Sequence, residues 1–243
     1  MAEPSNATDA PEPGEDTPSP PPPRDGVIKE TDDDGVVVSS TTWVGGMMHG
    51  EAVLYRPDGG VVRKMTYANG QLEGEVRVYA EDGTLAQIVP FRNNVCHGEM
   101  VTYRSGDVVA RVPFVDGLQE GIAVFYDEAG NVSTRQTYVG GKLNGETLMY
   151  SSDGPVLRRV PYLNGKTHGQ VMGYHPSGAV AEKSFYINGK LEGEMLRFYE
   201  DGKILQRGVY RAGKPIEPVV SYDPAGKQTG ASPVPKKTTK PKG

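Results

Sequence analysis

The sequence predicts an all-β fold, an elongated antiparallel ribbon of β-hairpins, and three observations support this prediction. The chain repeats itself with a period of 24 residues, and about eight units follow one another. Each unit contains two glycine-based turn signals. The segments between the turns are rich in Val, Ile, Tyr and Phe and are too short for helices. A hairpin of this size buries its apolar face only against its neighbours, which explains the repetition.

An aromatic residue opens each unit and defines position 1 of the repeat. The step from one such residue to the next is 24 residues, except for one step of 23. The position-1 residues, for which we predict a structural role, are Trp43, Tyr67, Phe91, Phe114, Tyr138, Tyr162, Tyr186 and Tyr210. A second aromatic series runs from Tyr55 to Tyr222 at position 13. We expect both series to stack from unit to unit and to bury area between hairpins.

The turns of each unit are predicted from two dipeptides. Asn-Gly, Asp-Gly or Gly-Gly stands at positions 3 and 4, and signals such as Asp-Gly or Ser-Gly stand at positions 16 and 17. Gly and Asn adopt the positive φ of tight hairpins at low cost. Because the connections are too short for crossovers, successive strands must pair antiparallel.

A further glycine, at position 8, falls inside a strand. It predicts a β-bulge, or an aromatic ring lying over bare backbone. A bulge at one of the two turns is also required if a given repeat position is to lie on the same face in every unit, because simple pairing through both turns would place it on alternate faces.

Composition and charge divide the chain into three segments. Residues 1–25 form an acidic, Pro-rich tail that we expect to be disordered, and residues 231–243 form a basic disordered tail. Between them, residues 26–230 form the repeat domain, with full units over 43–209 and partial units at both ends. The last unit, which contains Pro215 and Pro218, is expected to cap the sheet edge. A net charge of −5 argues against general nucleic-acid binding.

The first 25 residues lack the basic start and apolar run of a signal peptide. No stretch of the sequence reaches the roughly 20 apolar residues of a membrane span. We therefore expect a soluble, cytoplasmic protein.

Charged residues also recur with the repeat, as glutamates at position 9 and cations at position 22. In the register of a simple two-residue Asn-Gly turn, cross-strand ion pairs are predicted for Lys64 with Glu75, Arg135 with Glu146, and Lys183 with Glu194. The same register leaves Arg111, Arg159 and Arg207 without a glutamate, facing Ile122, Gln170 and Pro218. These three arginines are therefore candidate contacts for an anion or a partner, with ordinary solvated charges as the alternative.

Catalytic, metal-binding and cofactor sites are not predicted. His49, His97 and His168 share position 7, but His49 and His97 are two units apart, about 19 Å along the ribbon, which is too far for a shared metal. Cys96, the single cysteine, adjoins His97, and neighbours on a strand point to opposite faces. The run Asp32–Asp34 is expected to form the turn between the first two strands. A hydrolase that uses the tyrosines and the position-9 glutamates is the least favoured alternative.

The units YANGQLEGEVRVYAEDG, YVGGKLNGETLMYSSDG and YINGKLEGEMLRFYEDG resemble MORN repeats, specifically the bacterial MORN-variant repeat of YwqK-type antitoxin proteins. The resemblance covers roughly residues 43–213, and Asn94, Ile122 and Glu217 depart from the pattern. It implies an antiparallel hairpin ribbon that serves as a noncatalytic binding or scaffolding element.

Two kinds of partner follow from this resemblance. The antitoxin label implies a toxin as protein partner, and self-association is a further form of protein binding. Eukaryotic MORN repeats are linked to membrane phosphoinositides, so peripheral binding to an anionic lipid surface is the alternative. The cations for such lipid binding would be Arg111, Arg159 and Arg207, together with the lysines of the basic tail, Lys236, Lys237, Lys240 and Lys242.

Overall fold

The computed structural model describes residues 25–232 and residue 234 as one open antiparallel sheet of 24 strands. Strands and turns account for the regular structure, and no helix occurs in this part of the chain. The predicted all-β hairpin ribbon is therefore confirmed. The predicted disorder of the two tails concerns residues that, apart from Asp25, Ala231, Ser232 and Val234, lie outside the described part.

The strands are of two kinds, long strands of four to nine residues and two-residue strands that follow a turn. In chain order they are β1 (Gly26–Thr31), β2 (Val37–Val44), β3 (Met47–Tyr55), β4 (Val61–Ala68), β5 (Gln71–Leu72), β6 (Gly74–Tyr79), β7 (Leu85–Arg92), β8 (Val95–Cys96), β9 (Gly98–Arg104), β10 (Asp107–Val115), β11 (Leu118–Gln119), β12 (Gly121–Tyr126), β13 (Val132–Val139), β14 (Lys142–Tyr150), β15 (Val156–Leu163), β16 (Lys166–Thr167), β17 (Gly169–Tyr174), β18 (Val180–Ile187), β19 (Lys190–Leu191), β20 (Gly193–Phe198), β21 (Ile204–Arg211), β22 (Lys214–Pro215), β23 (Val219–Tyr222) and β24 (Gln228–Ser232). Each long strand between β1 and β24 pairs with the long strand before it and the one after it, as a meander requires.

The Asp-Gly turns close the hairpin within each unit. In the first full unit, the amide of Gly59 donates to the carbonyl of Arg56 at 2.9 Å, and Gly59 has φ of +82°. The Asp58 carboxylate accepts a hydrogen bond from the amide of Gly60 at 2.8 Å. The predicted turn at Asp32–Asp34 has the same backbone hydrogen bond, from the amide of Gly35 to the carbonyl of Asp32 at 3.0 Å, but here the side-chain acceptor is Asp32 Oδ1, which accepts hydrogen bonds from the amides of Asp34 and Val36.

The Asn-Gly turns connect one unit to the next and stack on each other. The amide of the turn glycine donates to a carbonyl of the preceding unit, for example Gly165 to Leu143 at 2.7 Å and Gly189 to Thr167 at 2.8 Å. Asn164, which precedes Gly165, has φ of +50°, as an Asn-Gly hairpin requires. Successive turns therefore form a continuous line along one edge of the ribbon, the Asn-Gly edge.

Bulges interrupt the pairing at both turns, whereas one was expected. Beside the Asn-Gly turn, Tyr67 pairs with Leu72 but Lys64 pairs with Arg77, so two extra residues enter on the second strand. Gly74 at position 8 lies in this bulge with φ of +87° and stands opposite Phe91. Beside the Asp-Gly turn, a register shift follows Leu54. The bulge predicted from the position-8 glycine is confirmed.

The core is a single row of small and medium side chains that runs across the strands. Most of its members are residues at positions 10 and 23, such as Ala52, Ala123, Val160 and Val171, which are at most 7% exposed, and Val53 and Val101 at position 11 of the other face are also buried. The position-1 aromatic residues lie on this same face by strand alternation, and all are half-buried. We call it the core face. The opposite face, the charged face, carries positions 2, 5, 9, 11, 13 and 22.

The C-terminal unit does not cap the sheet as expected. The sheet continues beyond Pro218 through β23 and β24, and β24 extends to Ser232, two residues past the predicted end of the repeat domain. Pro215 lies in the two-residue strand β22, and Pro218 lies between β22 and β23. The proline residues are thus accommodated at the bulge, where the ladder is already interrupted, instead of ending the sheet.

Candidate interaction surface

The three candidate arginines lie on the charged face, and the expectation that they lack an acidic partner is wrong. Arg111 Nη1 is 2.6 Å from Glu99 Oε1, and Arg207 Nε is 2.5 Å from Glu194 Oε1. Arg159 forms the equivalent ion pair with Glu146. In each case the glutamate raises the pKa of the guanidinium, mainly through the hydrogen bond between them.

The error has a physical cause in the bulge beside the Asn-Gly turn. The two extra residues place position 22 opposite position 11 of the next unit, as with Arg159 and Met172. Across the Asp-Gly hairpin, position 22 also pairs with position 11 of its own unit, as with Arg159 and Leu148. A position-22 cation therefore reaches the position-9 glutamate of its own unit, which lies diagonally across the Asp-Gly hairpin. Long side chains span such a diagonal.

The predicted ion pairs are wrong for the same reason. Among the described residues, no ion pair within 4 Å joins Lys64 to Glu75, Arg135 to Glu146, or Lys183 to Glu194. Lys64, Arg135 and Lys183 are the position-22 cations that remain outside such pairs in residues 25–232. The Arg135 guanidinium lies 5.9 Å from the centroid of the Tyr150 ring, within cation–π distance.

Exposed apolar side chains line the Asn-Gly edge. Positions 2 and 5 flank each turn and pair across it, for example Leu163 with Lys166 and Ile187 with Lys190. We call the exposed apolar members of these two positions the apolar stripe, which consists of Val44, Met47, Val95, Val115, Leu118, Val139, Leu163 and Ile187. Leu163 is 45% and Ile187 43% exposed. Surface patches of this kind, bordered by polar residues, are typical of binding sites.

Four lysines stand in a line beside the apolar stripe. They are the position-5 residues of units 5 to 8, Lys142, Lys166, Lys190 and Lys214, and we call them the lysine row. All four are exposed, and none is in an ion pair with a described residue. The hydrogen-bonded turns set their spacing at one unit, about 10 Å, since each unit adds two strands. Positions 5 of the first four units hold Met47, Gln71, Val95 and Leu118 instead.

Sequence reasoning missed the lysine row, although the signal was present in the repeat alignment. Position 5 changes from apolar or neutral residues to four successive lysines at Lys142. Opposite charges at facing positions are the pattern that indicates ion pairs, and the lysine row lacks this pattern because it faces apolar residues and Arg211.

The position-7 side chains hold the turns in place. Glu120 Oε2 accepts the amide of Gly140, and Glu192 Oε2 accepts the amide of Ala212, each at 2.7 Å. His97 Nδ1 lies 3.4 Å from the amide nitrogen of Asp116 in the equivalent position. His49 Nδ1 lies at the same distance from the amide nitrogen of Asn69, whereas His168 Nδ1 is buried and has no hydrogen-bond partner among the described residues.

Comparisons with known families identify the type of repeat. The MORN repeat profile matches residues 42–61, and the MORN repeat variant profile matches residues 72–93, 167–188 and 191–212. The chain is a MORN-repeat protein. MORN repeats mediate protein or membrane-lipid contacts and are in general noncatalytic. Comparison with curated proteins gives no match to this MORN-repeat chain.

Two solved structures show low similarity to the MORN-repeat chain. One is the Photorhabdus luminescens Tc holotoxin pore in a TccC3 mutant form, at 12% identity and a TM-score of 0.20. The other is the TcdB2-TccC3-Cdc42 complex, at 13% identity and a TM-score of 0.15. The alignments cover 81% and 84% of this chain but only 14% and 15% of those chains. Scores this low support no conclusion about the MORN ribbon.

Histidine, cysteine and carboxylate side chains were also candidates for a metal or catalytic site in the MORN ribbon. Within residues 25–232, no group of three His, Cys, Asp or Glu side chains is arranged to hold a metal ion. His97 Nδ1 lies 3.0 Å from Arg92 Nη2 and 3.2 Å from Asp116 Oδ1. Burial raises the pKa of the Cys96 thiol, which disfavours the nucleophilic thiolate. The described part contains no helix long and apolar enough to cross a bilayer.

Proposed function

We propose that this MORN-repeat chain is a noncatalytic protein-binding module whose contact surface is the Asn-Gly edge of units 5 to 8. One observation carries the proposal: the lysine row stands directly beside the exposed side chains of Val139, Leu163 and Ile187. The partner segment that fits this surface is acidic, with apolar side chains between its carboxylates.

The two parts of this surface contribute in different ways. Burying the apolar stripe supplies affinity, at about 25 cal/mol for each Å² of apolar surface removed from water. The lysine row supplies specificity, because it repels basic partners, and it increases the association rate of an acidic partner, because it attracts that partner at long range. The hydrogen-bonded turns hold both rows in place, so little order has to be gained on binding.

A selection from a random peptide library tests this proposal without a known partner. The library is panned on the intact chain and, in parallel, on the variant Lys142→Ser, Lys166→Ser, Lys190→Ser, Lys214→Ser. A control variant loses four other lysines, Lys64, Lys183, Lys203 and Lys227, and so has the same net charge.

We expect the wild-type chain and the control to enrich peptides with Asp or Glu interleaved with apolar residues, and the row variant to lose this enrichment. The absence of such peptides on the wild-type chain, or equal enrichment on the row variant, would exclude the surface.

An anionic membrane surface is the second candidate, and the lysine row is the observation that favours it. Each lysine near an anionic leaflet contributes about 1 kcal/mol of attraction. The lysine row replaces the arginines that the sequence suggested as lipid contacts, because Arg111, Arg159 and Arg207 each form an ion pair with a glutamate. Flotation with phosphatidylserine vesicles tests this candidate. Binding that the row variant loses and the control variant keeps would support the lipid surface, and no binding by the wild-type chain would remove it.

An antitoxin-like role is a narrower form of the protein-binding proposal, in which the acidic segment belongs to a toxin. It is motivated by the resemblance to YwqK-type repeats, and it includes a cytoplasmic location for the chain. The test is co-expression with the product of a neighbouring reading frame that is toxic alone. Rescue by the wild-type chain and its loss in the row variant would support the role, whereas toxicity unaffected by the wild-type chain would count against it.

A further inference from the structure

The two ends of the described sheet carry strands that pair on one side only. Within residues 25–232, β1 pairs with β2 alone and β24 with β23 alone. The outer edge of such a strand presents free N–H and C=O groups that can pair with another strand. The sequence of β24, QTGAS, contains no charged residue and no proline that would discourage pairing, and all five of its residues are exposed.

The repeat defines what fits each free edge. β24 holds positions 19 to 23 of its unit, and β1 holds positions 8 to 13. Inside the ribbon these two halves are partners, as β4 and β6 show through the pairs Arg63 with Val78 and Lys64 with Arg77. The same register would place Gly230 opposite Glu30, and Ala231 opposite Lys29, of a second copy.

We propose that the free edge of β24 pairs with the free edge of β1 from a second copy, so that the ribbon continues from one molecule to the next. The long strands alternate in direction along the sheet, and β1 and β24 run in opposite directions. A second copy in the same orientation therefore presents β1 antiparallel to β24. Every other pair in the sheet has this arrangement.

The charges of the flanking segments favour this contact. In an antiparallel pair, the start of β1 lies beside the end of β24. Residues 1–25 contain six acidic side chains and one arginine, and residues 233–243 contain four lysines and no acidic side chain. The attachment points of an acidic and a basic segment are thus adjacent, and their attraction is reduced by salt.

The expected assembly is an open one. The surfaces that meet are different, so the contact is heterologous and leads to chains of molecules instead of a closed dimer. Contact through one strand edge buries less than about 1,000 Å², which is typical of weak association. We therefore expect end-to-end pairing to increase with protein concentration and to decrease at high salt.

Disulfide trapping between single-cysteine variants tests the register. Lys29→Cys and Ala231→Cys are made separately in the full chain with Cys96→Ser, then mixed under mild oxidation. Residues opposite each other in an antiparallel pair have Cα atoms about 4.5–5.5 Å apart, which suits a disulfide. The matched control replaces Lys29→Cys by Glu30→Cys, because the neighbouring side chain points to the other face, where Glu30 accepts a hydrogen bond from Ser39.

The proposal predicts a linked heterodimer from the first mixture, several-fold less from the control mixture, and a decrease of the first product at high salt. It is overturned if neither mixture links, if both link equally, or if either variant links as readily with itself. Circular dichroism of each variant confirms that the strands are retained, and Cys96→Ala replaces Cys96→Ser if the latter unfolds. Since the lysine row is unchanged in all variants, failure here is distinguishable from failure of the binding surface.

Discussion

At the scale of single residues, the position-8 glycine has one role in different surroundings. Gly98 has φ of +122°, and a Cβ atom there would lie 3.0 Å from Pro90 Cγ. Gly193 has φ of +76°, and a Cβ atom there would meet nothing within 4 Å. The backbone conformation therefore requires glycine at both sites, whereas a steric requirement is present only at Gly98.

We predict that Gly98→Ala destabilises the chain more than Gly193→Ala does. The left-handed backbone alone costs a non-glycine residue about 1–2 kcal/mol, and Gly98→Ala adds the contact with Pro90. Urea unfolding followed by circular dichroism measures both variants against the wild type. Equal shifts of the midpoint would show that the contact with Pro90 is relieved at no cost.

The corrected charge ladder gives a second prediction at this scale. Both partners of the Glu146–Arg159 pair are about half exposed, so we expect a coupling free energy of about 0.5 kcal/mol from a double-mutant cycle with Glu146→Gln and Arg159→Gln. The same cycle between Glu146 and Arg135 should give a coupling near zero, because their side chains are not paired. A larger coupling free energy with Glu146 for Arg135 than for Arg159 would contradict this pairing and would support the register of the simple two-residue turn.

At the scale of the element, the Asn-Gly turn depends on the acceptor at position 7. We predict that Glu120→Ala lowers stability by about 0.5–1.5 kcal/mol, because the amide of Gly140 loses its partner, and that Glu120→Gln retains most of it, since the amide oxygen also accepts. Thermal unfolding of the two variants measures the difference. If Glu120→Gln were as destabilising as Glu120→Ala, the charge of Glu120, and not its acceptor role, would matter.

The hairpins were predictable from sequence because their determinants are local. Asn164 and Gly165 at one turn, and Asp58 and Gly59 at the other, specify positive φ and side-chain acceptors within a few residues. The strands between them follow from short runs of β-branched and aromatic residues.

The register at the bulge was not predictable in the same way. Gly74 indicated that a bulge exists, but the number of extra residues depends on a non-local contact, the hydrogen bond from the amide of Glu73 to the carbonyl of Thr66 on the neighbouring strand. A difference of two residues leaves Arg111, Arg159 and Arg207 beside the position-9 glutamate of their own unit, and separates Lys64, Arg135 and Lys183 from the glutamates predicted for them. The candidate arginines were therefore predicted to have the wrong neighbours, although their common place at position 22 of the repeat follows from the sequence.

At the scale of the whole molecule, the ribbon converts a repeat in sequence into straight rows of side chains. Each unit contacts mainly its neighbours, so a residue type that recurs at one position becomes a line at a spacing of about 10 Å. Position 10 forms the core in this way, and position 5 forms the lysine row. A change confined to units 5 to 8 thus gives the two halves of one regular scaffold different surfaces.

The binding of one defined peptide tests this account most directly. The lysine row spans about 30 Å, which an extended peptide of about ten residues covers, so the probe is a fluorescent ten-residue peptide of alternating Glu and Leu. Its affinity is measured by anisotropy at low and high salt. We predict that each Lys→Ser substitution in the row lowers affinity roughly two- to fivefold, as exposed ion pairs do, while the four-lysine control remains close to wild type. Equal affinity for the wild-type chain and the row variant, or an equal loss in the control, would contradict the account.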